Sequence, residues 1–270
     1  MRPDPSRSAS STSATSSAVP ASSTASRYGA WGWPLAWAAL LLVLVLAMPT
    51  LEPLFRWVEP NARQVIYGRA DFVDLLARHL LVVSVAALVT LLVGVSAGIA
   101  VTRARGRDFL PLVAHLSSLG QTFPPVAVLA LAVPVLGFGT LPIIVALMLY
   151  GLLPIVRNTL TGINEVDPNV KQAAIAMGMT PWQLLRHVEL PLALPVILAG
   201  VRTSVTINIA TAALGATVGA SNLGDPIIAG IINDNMAYIV QGALSIALLA
   251  LTVDSAFNAL QQRLVRRSAS

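Results

Sequence analysis

Six apolar runs, each ended by charged or turn-forming residues, dominate this chain and leave few architectures open to it. They lie at about 31–48, 79–102, 109–136, 141–156, 192–218 and 239–260. Each is near or above the ~20 residues with which an α-helix crosses the apolar layer of a bilayer. Only 11% of the residues are charged and 56% are hydrophobic, whereas a soluble domain carries about 25% charged residues. Most of the surface must therefore face lipid. Gly and Pro, 18 of each, fit this reading because membrane helices tolerate both. The expected fold class is an all-α integral membrane protein with six transmembrane helices. The absence of cysteine excludes disulfides, thiol catalysis and Cys-based metal sites.

Residues 1–28 are rich in Ser, Thr and Ala and nearly free of large apolar side chains. Such a segment buries too little surface to offset chain entropy, so a disordered tail is expected. The first run resembles a signal peptide in length, but Met48-Pro49-Thr50 is a poor cleavage site, and an uncleaved span is favoured. It is expected to form a first unit with an external loop, over 29–78. Pro124-Pro125 and Pro134 interrupt the third run, which reads as a kinked helix or two pieces. Gly137-Phe138-Gly139-Thr140 reads as a tight turn.

The basic residues give the orientation. With the N-terminus inside, Arg103, Arg105, Arg107, Arg157, Lys171, Arg186, Arg263, Arg266 and Arg267 are all cytoplasmic, as are Arg2, Arg7 and Arg27. The loops at 137–140 and 219–238 hold no Arg or Lys. The expected topology has both termini in the cytoplasm. The net charge of +5 is accounted for by this pattern, so a nucleic-acid partner is not expected.

One polar segment is more than a connector. Residues 172–190, reading QAAIAMGMTPWQLLRHVEL, are helix-forming and lie between two apolar runs. Ala173 and Ala174 are small enough for a partner's groove to approach the backbone. Gly178 permits a left-handed helix end. Thr180 is placed to cap a second helix, with Pro181 first and Gln183 third. Trp182, Leu185 and Val188 are expected on the membrane side, and Gln183, Arg186 and His187 in the open. The result is a rigid knob on the cytoplasmic side.

Gln172-Ala173-Ala174, Gly178, Val188 and Leu190-Pro191 keep every spacing of the EAA loop. The segment thus resembles the coupling loop of permease subunits of binding-protein-dependent ABC importers. Two positions depart: Gln172 stands for Glu and Val188 for Ile. The first removes a charge from the contact with the ATPase. From about 79 to 264 the chain is similar to permeases for glycine betaine, carnitine and choline. That likeness rests on Gln121-Thr122-Phe123-Pro124, Leu153-Pro154-Ile155-Val156-Arg157-Asn158-Thr159, Gly178-Met179-Thr180-Pro181-Trp182-Gln183 and Gly200-Val201-Arg202-Thr203-Ser204. Asn222-Leu223-Gly224-Asp225 adds to it, in a stretch poorer in Gly than the family's.

The resemblance implies a five-helix permease core of the type I importer kind, over 79–264, preceded by an extra span and followed by a short tail at 265–270. It implies a coupling loop at 157–190, with Gln172, Ala173, Ala174, Gly178, Met179, Thr180 and Arg186 at the contact. It also implies a bacterial inner-membrane location, a cytoplasmic ATP-binding subunit, an external substrate-binding protein, and a second permease copy or a paralogue.

The remaining polar groups within the runs suggest a path. Thr203, Thr206, Asn208 and Thr211 on the fifth run are expected to line it, and helix packing by hydroxyl residues is the competing reading. Arg202 and Asp254 are the charges within spans and lie at similar depth, so an intramembrane pair is expected. Quaternary ammonium ligands are usually held by aromatic cages, and these spans contain no Trp or Tyr cluster, with Tyr150 isolated. Selection is therefore expected in a partner. His79, His115 and His187 are scattered and show no metal-ligand spacing. With no nucleophile–base set and no phosphate-binding Gly loop, the chain is expected to bind no metal or cofactor and to hydrolyse no ATP. An amino-acid permease is one alternative. An ion-driven secondary transporter is another, but it needs an inverted repeat that is not evident. An intramembrane enzyme lacks its catalytic set.

Overall fold

The computed structural model describes residues 31–268, with side chains through Leu264. The Ser/Thr-rich stretch over 1–28, expected to be a tail, lies outside the described residues. Among the described residues, eleven α-helices occur in order: α1 (Gly32–Leu46), α2 (Glu52–Val58), α3 (Phe72–Thr102), α4 (Leu110–Thr122), α5 (Pro125–Leu136), α6 (Thr140–Asn164), α7 (Pro168–Ala176), α8 (Pro181–Leu184), α9 (Leu190–Ala212), α10 (Asp225–Ile232) and α11 (Met236–Ser268). No strand occurs among these residues.

Four helical stretches are long and apolar enough to cross a membrane: α3, α6, Pro181–Val218 built around α9, and Met236–Leu264 of α11. The other two expected spans are bent pairs. The helices at Gly32–Leu46 and Met48–Val58 meet at 76°, and those at Arg107–Thr122 and Pro125–Leu136 at 100°. Proline accounts for both bends. Pro49 and Pro53 open the short helices after α1. Phe123 and Pro124, each followed by a proline, are driven into extended backbone with ψ of 141° and 137°. Pro134, by contrast, sits within α5 without ending it.

The break between α4 and α5 is tied to α6. The Tyr150 hydroxyl donates to the Phe123 carbonyl, a group the broken helix leaves without its usual partner. Gln121 Nε2 donates to the Tyr150 carbonyl at 3.2 Å. Tyr150 thus fastens α6 to the break.

Three helices outrun their apolar runs. α3 starts at Phe72 because Asp71 accepts from the Val73 N–H at 3.3 Å, and Arg78 pairs with Asp74 one turn away at 2.8 Å. α6 continues past Val156 to Asn164. There the Asn158 and Thr159 side chains turn back onto the Pro154 and Ile155 carbonyls. α11 continues through Ser268, so residues 265–268 belong to the helix and not to a tail.

α6 is the central helix, packed between α3 and α9, while α1 lies along α11. Lipid supplies little hydrophobic drive for helix association, so close backbone approach carries it. Gly94 and Gly98 lie one turn apart on α3. A Cβ added there would stand 2.8 Å from Ile155 Cγ2 and 2.7 Å from Thr159 Cγ2. Ile143, Leu147, Ile155 and Ile163 of α6 are fully buried.

The ends of the bundle differ. At one, the basic end, Arg103 and Lys171 meet on Glu189, and Arg263 of α11 covers the Trp31 ring at 5.0 Å from its centroid. At the far end, the loop after α2 is fastened to the start of α11. The buried Gln241 amide donates to the Val65 carbonyl at 2.5 Å and accepts from the Tyr67 N–H at 3.1 Å.

Candidate functional site

The knob expected at 172–190 is built from two capped helices. Asp167 caps α7 by accepting from the Asn169 N–H at 2.8 Å, with Pro168 in the first position. α7 ends on Gly178, whose φ is +83°. The Gly178 N–H bonds the Ile175 carbonyl at 2.9 Å and the Met179 N–H bonds the Ala174 carbonyl at 3.2 Å. This pairing closes a helix end on a left-handed residue. Thr180 and Gln183 then form a reciprocal capping box that starts α8. The turn between the helices is therefore held on both sides by hydrogen bonds.

The outer face of the knob differs from the expected one. Ala174 is buried at 2% exposure, and Ala173 and Gln172 are exposed. Successive helical residues lie about 100° apart, so the alanine pair does not form one open face. Ile175, Met177 and Trp182 are open instead, at 58%, 73% and 66%. Trp182 was expected beside Leu185 and Val188, but Leu185 turns into the protein and Val188 is half-buried. Gln183, Arg186 and His187 are exposed, and Met179 is half-buried.

Beyond α8, residues Leu185–Glu189 form a π-helical turn that runs straight into α9. Its last residue, Glu189, is 5% exposed. One carboxylate oxygen accepts from Arg103 Nη2 at 2.6 Å, and the other lies 3.9 Å from Lys171 Nζ. Sequence reasoning missed Glu189. The only signal was an acidic residue at the edge of an apolar run, facing basic residues distant in sequence.

Within the bundle, Arg202 of α9 meets Asp254 of α11 in a two-pronged pair. Nε and Nη2 lie 2.6 and 2.7 Å from the two carboxylate oxygens. The pair opens onto a cavity of about 370 Å³ edged by Thr203, Thr206 and Gln261. The four residues expected to line one path are divided. Thr203 and Thr206 edge this cavity. Asn208 is fully buried on the other side of α9, where a Cβ on Gly151 would come within 3.0 Å of its amide nitrogen. Thr211 is half-buried and donates to the Ile207 carbonyl at 2.9 Å.

The far end carries a shallow basin of about 850 Å³ between residues 59–69 and 233–238. Tyr67 and Tyr238 meet there edge to face, with centroids 5.7 Å apart. Burial, then the Asp225 carboxylate, raises the Tyr67 hydroxyl above the ordinary phenol range. Asn222 organises the adjoining segment. Its amide donates to the Ala212 and Ala220 carbonyls and accepts from the Gly224 N–H.

This bundle, with a capped knob at its basic end, is the architecture of an importer's membrane subunit. Residues 90–269 match the family described as binding-protein-dependent transport system inner membrane component, and the chain belongs to that family. It is 43% identical over 216 residues to the osmoprotectant import permease protein OsmY of Salmonella typhimurium, covering 80% of this chain and 87% of that one. It is 35% identical over 204 residues to the glycine betaine/carnitine/choline transport system permease protein OpuCB of Bacillus subtilis, covering 76% and 90%. It is 38% identical to the choline transport system permease protein OpuBB of the same organism, covering 76% and 90%. Among solved structures, an inward-facing MetNI methionine ABC transporter matches with a TM-score of 0.65 at 22% identity, over 71% of this chain and 95% of that one. That likeness bears on the fold alone.

Proposed function

We propose that this chain is the membrane-spanning permease subunit of an ABC importer for osmoprotectants of the glycine betaine, carnitine and choline class. The observation that carries the proposal is the knob. It is locked by the Gly178 turn and the Thr180–Gln183 capping box, and it exposes Ile175, Met177 and Trp182 at the basic end. Apolar side chains presented on a rigid mount suit a protein partner. The partner on this reading is a cytoplasmic ATP-binding subunit, which places the basic end in the cytoplasm in keeping with the Arg and Lys pattern. A binding protein delivers the solute at the far end, and a second permease, identical or related, completes the path. Thr203 and Thr206 line the path near the Arg202–Asp254 pair. The chain itself holds no cofactor and hydrolyses nothing.

The names of the relatives support this cargo. Amino-acid import is the second reading, favoured only by the fold shared with the methionine transporter. The test is uptake of radiolabelled betaine, carnitine and choline into vesicles holding the assembled importer, with unlabelled methionine as competitor. Uptake of a quaternary ammonium solute that methionine leaves untouched supports the proposal. Uptake of methionine in its place overturns it.

A further inference from the structure

We infer that Glu189 is the positioning residue that ties the ATPase-docking knob to the transmembrane helices, so that movement of the knob reaches α3 and α9 together. The inference rests on the proposed coupling role of the knob and goes beyond it, because Glu189 stands between Val188 and Leu190, at a position the motif leaves unspecified.

The geometry is that of a joint. Glu189 ends the π-helical turn and enters α9 without a break. Its carboxylate is 7% exposed and takes Arg103 Nη2 at 2.6 Å. Arg103 is the residue on which α3 ends. Lys171, on α7 of the knob, lies 3.9 Å from the other carboxylate oxygen. Lys171 also donates to the Ile163 carbonyl in the last turn of α6, at 2.8 Å. One buried carboxylate therefore stands among the ends of α3 and α6, the knob helix α7 and the start of α9.

Two features set this cluster apart from an ordinary surface pair. A carboxylate so buried requires its cationic partner, because an unpaired charge in a water-poor site is costly. The π turn holds one more residue than an α-helical turn, which rotates the residues after it by about 100°. Glu189 closes that turn, and from there its buried carboxylate reaches Arg103. π turns of this kind recur at functional sites because only a specific gain offsets their poorer geometry. Across the joint, α8 continues through the π turn into α9 as one stretch, and Arg103 couples the same point to α3. A push on the knob then moves two spans instead of bending a loop.

The test uses the assembled importer in vesicles, with ATPase and binding protein. It compares Glu189→Gln, Arg103→Gln and Gly178→Val. Three quantities are read: ATPase retained on purification, stimulation of ATP hydrolysis by the binding protein, and betaine taken up per ATP hydrolysed. Glu189→Gln and Arg103→Gln should retain the ATPase, lose most of the stimulation, and lower uptake per ATP by about tenfold. Joining both substitutions should be no worse than either alone, as expected for partners in one interaction. Unchanged uptake per ATP in both single variants overturns the inference. So does a loss of ATPase retention in both, because the residues would then act in docking. Gly178→Val separates the underlying reading: if it keeps full ATPase retention and uptake, the knob is not the coupling element. If either single variant is too poorly inserted to assay, the other decides, since each removes the same contact.

Discussion

Arg202 on α9 and Asp254 on α11 face each other with both guanidinium prongs on both carboxylate oxygens, at 2.6 and 2.7 Å. About a third of each side chain remains exposed, 31% and 37%, toward the cavity edged by Thr203 and Thr206. The pair therefore joins two spans and also sets the charge of the cavity wall. Replacing Arg202 by Met or Asp254 by Asn leaves the partner charge within a span, so either change should lower folded yield. The double variant should recover part of the loss, with a coupling energy of about 1–2 kcal/mol in detergent unfolding. Strict additivity would rule out a direct contribution of the pair.

The turn at Gly178 makes a sharper prediction about coupling. A β-branched residue is strained at a φ of +83°, yet nothing stands within 4 Å of the site to be displaced. Gly178→Val should thus change the aim of the knob while the spans insert normally. Co-purification of the ATPase should fall several-fold in pull-downs from membranes. Membrane levels should match those of the parent chain by immunoblot.

Thr180 tests the rigidity of the mount separately from its aim. Thr180→Ala removes one half of the capping box, at a cost of about 1 kcal/mol to that helix start. Hydrogen exchange should speed up at the amides of residues 182–184 and stay unchanged in α6. Uptake should fall by less than in Gly178→Val, because the left-handed turn survives.

Tyr150 fastens the proline break between α4 and α5. Tyr150→Phe keeps the ring and leaves the Phe123 carbonyl without that donor. Losing one such hydrogen bond costs about 0.5–1.5 kcal/mol. For a chain of this size that corresponds to a fall in Tm of about 2–4 °C per kcal/mol. Thermal unfolding of the purified subunit checks it, with Tyr238→Phe as a control, whose substitution touches neither helix of the break.

Much of the bundle was legible in the sequence because lipid imposes one strong rule, and apolar runs report it directly. The knob was legible for a different reason. Gly178, Thr180, Pro181 and Gln183 each have a local conformational role that spacing alone exposes, and the turn and the capping box formed where those residues stand. The hidden features depend on partners far apart in sequence. The fastening role of Tyr150 stayed hidden because its acceptor, the Phe123 carbonyl, lies on another helix end. Glu189 looked like a boundary residue because Arg103 and Lys171 reach it only after folding. Gly94 and Gly98 went unnoticed because the side chains they accommodate, Ile155 and Thr159, lie on another helix. The expected path residues were grouped by type on one helix. Helical spacing already sets Asn208 and Thr211 on one face of it and Thr206, with Thr203 at its edge, on another, and the fold keeps them apart, since Asn208 turns toward Gly151 while Thr203 and Thr206 turn toward the charge pair.

The central claim is that this chain is a driven path and neither an engine nor a selector. Reconstitution in vesicles tests it most directly, with and without the ATP-binding subunit and the external binding protein. Accumulation of betaine should require ATP and both partners together and should be absent with the permease alone. Sustained accumulation by the permease alone, driven by an ion gradient, would contradict the account and make the chain a secondary transporter.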